Sequence, residues 1–234
     1  MKYAVILLVT LAISACKSQK NNNMNIPKIN KTTEKFDTKV FESDPKSESV
    51  IKKINNKDVE VFINKRKNRY EERDSKGVTL VSFSKGSEPN SIISGYDYSE
   101  NSTIGIYKEF YSNENIKTKG AYCKYGFKIG LWYSYNEKGE LIETQDHDKG
   151  FAFGFEEVLS FCEKEKITLE RKTSGYPVQI FKVNSAKEGT HWDINYPDFE
   201  KSVYVKIKLD GETGKVLGTS DSPLPGWVKD PSDN

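Results

Sequence analysis

Gly105-Ile106-Tyr107-Lys108-Glu109-Phe110-Tyr111-Ser112-Asn113-Glu114-Asn115-Ile116 is answered 25 residues later by Gly130-Leu131-Trp132-Tyr133-Ser134-Tyr135-Asn136-Glu137-Lys138-Gly139-Glu140-Leu141. Both stretches run Gly-x-aromatic-x-x-aromatic, then an Asn-containing turn, then an aliphatic residue. Glycine lets the backbone pass close to a neighbouring ring, and Asn-rich tetrapeptides close hairpins. The pattern predicts antiparallel hairpins whose aromatics pack on one another. A fainter copy pairs Tyr70 with Gly77, the same spacing as Trp132 and Gly139. Val59–Ile63 and Val78–Phe83 are expected as strands, with Asp74-Ser75-Lys76-Gly77 as the turn before the second and Ser87–Ser91 as a loop.

These motifs resemble the MORN-repeat variant of bacterial envelope and antitoxin-like proteins, a meandering antiparallel sheet. The first copy carries Glu114 where the family's turn has Gly, and Tyr107 in place of Trp. The resemblance implies a β-meander over residues 34–150, clearest at 104–146.

Residues 151–219 change character. Phe155, Val158, Leu159 and Cys162 fall on one helical stripe behind Gly154, with Glu156 and Glu157 at the positive helix end. Strands are expected at 178–183, 191–196 and 202–209. In the last, Val203, Val205, Ile207 and Leu209 share one face. Asp210-Gly211-Glu212-Thr213-Gly214 then turns into a further short strand. A helix, strands with Trp192 on the middle one, and Asp210 through Leu217 resemble the PepSY-like fold. That implies an α+β module linked to protein binding and inhibition. Residues 220–234 are expected as a tail.

At the other end, Met1-Lys2-Tyr3 leads into an apolar run, Ala4–Ile13, broken only by Thr10. The run is too short to span a bilayer as a helix and suits a signal peptide. It ends Ile13-Ser14-Ala15-Cys16, which resembles the bacterial lipobox. The resemblance implies cleavage before Cys16, recognition through Ile13, Ser14 and Ala15, and lipid on the Cys16 sulfur and amino group. Lys17, not Asp, then points to the outer membrane of a diderm bacterium. Residues 1–15 are thus expected to be the signal peptide, and residues 16–33, rich in Asn and Lys, a lipidated disordered tether.

The 234 residues hold 36 basic and 34 acidic side chains, a net charge of +2, which offers no bulk attraction to nucleic acid. Residues 17–94 carry 17 basic and 11 acidic side chains. That excess suits either anionic head groups beside the anchor or a solvated linker. Aromatic residues make up 12% of the chain, enough for a core despite 30% charged residues.

Chemistry is scarce. The sequence has no G-x-S-x-G, H-E-x-x-H, C-x-x-C or phosphate-binding glycine loop, so no catalytic residue, cofactor or metal is expected. His147, between Asp146 and Asp148, is expected in a solvated loop; His191 beside Trp192 starts a strand. Cys123 and Cys162 are expected as two buried thiols, although an oxidising compartment would permit a disulfide. The aromatic ladder of Tyr107, Tyr111, Tyr122, Tyr125, Trp132, Tyr133 and Tyr135 either fills two covered faces or exposes a contact surface. Tyr107, Tyr111, Trp132 and Tyr135 are the candidates for that surface.

Together these features predict a mainly β protein with an α+β C-terminal part. The expected function is a non-catalytic, lipid-anchored envelope protein that binds a protein or cell-wall partner, with immunity or inhibition as a concrete form. The alternatives are an envelope hydrolase or transferase, which needs a cleft gathering His147 or His191 with a carboxylate, and a structural spacer, which needs no exposed aromatic patch.

Overall fold

The computed structural model describes residues 26–41, 48–88, 90–101, 103–169 and 178–224. Ile13, Ser14, Ala15 and Cys16 lie outside the described residues. The protein is mainly β, with two antiparallel sheets and one described α-helix.

The first sheet is a nine-stranded meander in sequence order: β1 (Glu48–Ile54), β2 (Lys57–Arg66), β3 (Arg69–Asp74), β4 (Thr79–Lys85), β5 (Ile93–Asp97), β6 (Ile104–Phe110), β7 (Ile116–Cys123), β8 (Phe127–Tyr135) and β9 (Leu141–Asp146). One turn chemistry recurs in it. The Asp74, Tyr111 and Asn136 N–H groups each donate to the carbonyl four residues on, at 2.9 Å. The N–H three residues on donates back, from Gly77, Glu114 and Gly139 at 2.9, 3.0 and 2.9 Å. Those three residues have φ of +79°, +69° and +83°. Glu114 therefore occupies the left-handed conformation that the other two copies give to glycine. It is held there by contacts with the N-terminal segment: Thr38 Oγ1 donates to its carboxylate at 2.6 Å and Phe36 N–H to its carbonyl at 3.0 Å.

That segment corrects the expectation of a disordered tether reaching to residue 33. Residues 26–41, ending in a single 3-10 turn at Thr38–Phe41, form a strap across one sheet face. Pro27 is buried. Tyr135 Oη donates to the Lys31 carbonyl at 3.0 Å, and Lys119 Nζ to the Thr32 carbonyl at 2.6 Å. Lys108 and Lys119 both reach the Glu34 carboxylate, at 2.6 and 3.1 Å. Phe36 then packs on Phe83 and Phe110, each with ring centroids 5.2 Å away. The low apolar content of the stretch before it hides the strap, which is fixed largely by its carbonyls and one carboxylate.

Glu34 yields a prediction. Burial raises its pKa, but the hydrogen bonds and charges of Lys108 and Lys119 outweigh burial and hold it below the usual carboxylate value. A carboxylate with a depressed folded pKa stabilises fully above its unfolded pKa, about 4.5, and loses that contribution as pH falls through the lower folded value. Amide exchange at Ile116 and Phe36, whose N–H groups bond to strap and turn carbonyls, is expected to accelerate in that acid window beyond its intrinsic pH dependence. Glu34→Gln should abolish the step; a step that persists would assign it to another group.

The helix α1 (Phe155–Lys164) buries Phe155, Val158 and Cys162, with Leu159 packed beside them, as its stripe predicts. The second sheet is β10 (Gln179–Ser185), β11 (Gly189–Asp198), β12 (Val203–Asp210) and β13 (Val216–Pro223), again in sequence order. β13 runs through Pro223, so residues 220–223 are strand rather than tail. The expected boundary at residue 150 does not divide the packing. One core joins Ile104, Ala121, Cys123, Phe127 and Ile129 of the first sheet to α1 and to Ile180, Trp192, Ile194, Ile207 and Leu209 of the second. Trp192 sits at the seam, edge-on to Phe127 and Phe151 at 5.3 Å each, and its Nε1 donates to the Phe153 carbonyl at 2.8 Å.

Candidate functional site

The strap and the second sheet both pack on the same face of the nine-stranded sheet. Lys108 and Lys119 are cross-strand partners and both point into the strap. Their neighbours Tyr107 and Gly120, also paired, therefore point to the opposite face. No described element packs on that face.

A band of aromatic side chains crosses it. Tyr96 pairs with Tyr107 and their rings lie 5.1 Å apart; Tyr96 also meets Tyr98 at 5.9 Å and Tyr122 at 5.3 Å. Tyr107 stacks on Trp132 at 5.6 Å. Glycine makes the band possible. A Cβ on Gly105 would stand 2.6 Å from the Tyr98 ring, and one on Gly120 would stand 2.1 Å from the Trp132 indole.

The two repeat glycines thus do different jobs. Gly105 lies under a ring, as expected. Gly130, with φ of +61°, bends β8: Gly130, Leu131 and Trp132 together stand opposite the single Gly120. Its N–H donates to Asp148 Oδ2 at 2.9 Å and its carbonyl accepts from His147 N–H at 2.9 Å. The bulge turns the indole down onto Gly120, where Nε1 donates to the Ala121 carbonyl at 3.0 Å.

Beside the band, the Ser82 position pairs with Tyr96 on one side and Glu71 on the other, and Ser84 pairs with Ser94 and Arg69. Glu71 is buried between Arg69 and Arg73, which hold its two carboxylate oxygens. The open face therefore carries tyrosines, then serines, then an arginine pair. Burial raises the pKa of Tyr96 and Tyr107, with Tyr122 adding to the first and Glu109 to the second; it pushes Tyr98 up to about 12. All three phenols stay protonated at neutral pH and remain hydrogen-bond donors; Tyr107 Oη already donates to Glu109 at 3.0 Å.

Of the four expected surface residues, Tyr107 and Trp132 belong to this band, with Trp132 buried at its β8 end under Lys128 Nζ, 4.1 Å from the ring. Tyr111 and Tyr135 do not join them. Tyr135 is 1% exposed beneath the strap, and Tyr111 Oη donates to its carbonyl at 2.9 Å. Tyr96 and Tyr98 escape the repeat because they precede it. Their i, i+2 spacing in Tyr96-Asp97-Tyr98 was the available signal.

His147 follows β9, whereas His191 lies on β11. His147 lies edge-on to Trp132 at 5.7 Å, and its Nε2 is buried without a hydrogen-bond partner. Burial first, then Lys128 and Lys182, hold its pKa down, so it is a neutral imidazole. His191 is buried on β11, with Nε2 3.6 Å from Asp193 and 3.9 Å from Glu188. Among the described residues no cluster of three or more potential ligands could hold a metal. A cavity of about 310 Å³ between the strap and β1, β3, β4 and β5 is lined by Lys52, Tyr70, Glu72, Asp97, Phe36 and Phe83 among others, and by neither histidine. Cys123 and Cys162 are free and buried, and burial pushes both thiols up to about 12, which leaves them protonated and unreactive near neutrality.

Comparison with protein-family models, curated proteins and solved structures finds no match to this chain.

Proposed function

We propose that this chain is a non-catalytic, lipid-anchored protein of the cell envelope, held in the outer membrane through Cys16, that binds a protein partner across the open aromatic face of its first sheet. The observation that carries this reading is the inequality of the two faces. One is sealed by the strap and the second sheet; the other carries the adjacent rings of Tyr96, Tyr98, Tyr107, Tyr122 and Trp132 beside serines and an arginine pair. Rigid tyrosines supply contact area at low entropic cost, and serine hydroxyls adapt their hydrogen bonds to a partner. An immunity or inhibitor role is the concrete form, with the meander as a MORN-like sheet and α1 with β10–β13 as a PepSY-like module. The order of elements supports that arrangement.

Two measurements test the proposal. Intact mass and membrane fractionation of the native protein beside Cys16→Ala should show cleavage before Cys16 with added acyl mass; an uncleaved, unmodified, soluble chain would overturn the anchor. Capture from detergent-solubilised envelopes should fall at least tenfold for Tyr96→Ser/Tyr122→Ser, about 1.4 kcal/mol of binding. Phe181→Ser, on the second sheet and 45% exposed, should capture normally. Equal capture by both variants would remove the aromatic face from the mechanism.

A further inference from the structure

The two edges of the nine-stranded sheet differ in a way that the aromatic face does not explain. β1 pairs only with β2, and β9 only with β8, so each presents an outer row of backbone N–H and C=O groups without a strand partner among the described residues. The two most exposed large apolar residues described, Ile51 at 69% and Ile142 at 63%, sit one on each edge. Such residues on open edges are what a sheet ordinarily avoids unless something pairs there.

Charge names the occupant. β1 reads Glu48-Ser49-Val50-Ile51-Lys52-Lys53-Ile54, basic over its second half. Lys52 reaches Glu72 on the strap side, and Lys53, one residue on, is exposed on the other face. β9, with the residue before it, reads Glu140-Leu141-Ile142-Glu143-Thr144-Gln145-Asp146, three carboxylates and no basic residue, exposed at every strand position. Two β1 edges would oppose lysines to lysines, and two β9 edges carboxylates to carboxylates. Like charges facing across a strand pair destabilise it, and opposite charges favour it.

We propose that copies of this chain associate edge to edge, β1 of one against β9 of the next, through paired backbones and the attraction of Lys53 for Glu143, which both point to the open face. The sheet has an odd number of strands, so β1 and β9 run the same way. Copies placed in one orientation therefore meet as a parallel pair and keep their aromatic faces on one side. The contact is head to tail, so each addition leaves a fresh basic edge and a fresh acidic edge, and growth proceeds past a dimer. The inference does not rest on the proposed partner binding, since the edges lie outside the aromatic face.

Light scattering on the full-length protein in detergent, against concentration, tests it. Wild type should grow beyond two copies, and association should weaken with salt. Lys53→Glu alone and Glu143→Lys alone should each weaken association at least tenfold. Their combination should restore it, because the swapped charges attract again across the same junction. Both positions are exposed, and unchanged melting temperatures would confirm that the variants fold. A monomer at every concentration, growth that stops at two copies, or a double variant no better than the singles would each overturn the proposal.

Discussion

Trp192→Ala is expected to cost about 3–5 kcal/mol and to loosen both sheets together. That is the range for a buried tryptophan truncated in a core that relaxes only partly. Trp192 is 1% exposed and touches Phe127 of the first sheet, Phe151 of the linker and Phe155 of α1. Truncation also strands the Phe153 carbonyl that accepts from its Nε1. On the same side, Lys182 lies 5.6 Å over the indole and 4.7 Å over Phe151 while pairing with Asp148, whose other oxygen takes the Gly130 N–H. The seam is therefore tied to the bulge that aims Trp132. Hydrogen exchange gives the decisive readout. Protection should fall at Ala121 and Ile129 as well as along β11 and β12. Loss confined to β10–β13 would mean that the two sheets are separate stability units.

The seam also marks the limit of what sequence patterns convey. Short-range periodicity is set by one element's own exposure, so the stripe of α1 and the alternation of Val203, Val205, Ile207 and Leu209 were legible. The Asp74–Gly77 and Asn136–Gly139 turns were legible because their residue chemistry is local. The sharing of a core by Phe127 and Trp192 was not, since nothing in either strand specifies its partner. Nor was the strap, because Lys31 and Thr32 dock through backbone carbonyls, which every residue has.

The candidate site shows the same division. Alternation along β8 already separates Trp132 from Tyr133 and Tyr135, and the two extra residues at the Gly130 bulge preserve it, so Trp132 joins Tyr107 while Tyr133 and Tyr135 join the strap-side core. In the repeat Tyr107 aligns with Trp132 and Phe110 with Tyr135, and nothing in the pattern says which aligned pair lies under the strap. They differ because Phe110 and Tyr135 lie under the strap, whereas Tyr107 and Trp132 lie on the face that carries no strap.

Gly120→Ala is the sharpest probe of that bulge. The new methyl would stand 2.1 Å from indole Cδ2 and 2.2 Å from Cε2, far inside contact distance. The indole has little room to yield: Tyr107 stacks on one side, Lys128 lies 4.1 Å over the ring, and Nε1 is bonded to Ala121. Overpacking of this kind costs about 1–3 kcal/mol, and the upper end is expected here. Trp132→Ala alone should cost about 3–5 kcal/mol through the cavity it leaves. The double variant is expected to be more stable than the two losses added together, by on the order of 1–3 kcal/mol, because the methyl introduced at position 120 then has no ring to strike. Denaturant unfolding of the four proteins measures the cycle. Strict additivity would show that Gly120 and Trp132 are not in contact, and the indole would then owe its place on this face to something other than the missing Cβ. If the cycle couples as expected, Gly120→Ala should also cost partner capture more than its stability loss explains, since it displaces the Trp132 ring on which Tyr107 stacks while removing no tyrosine.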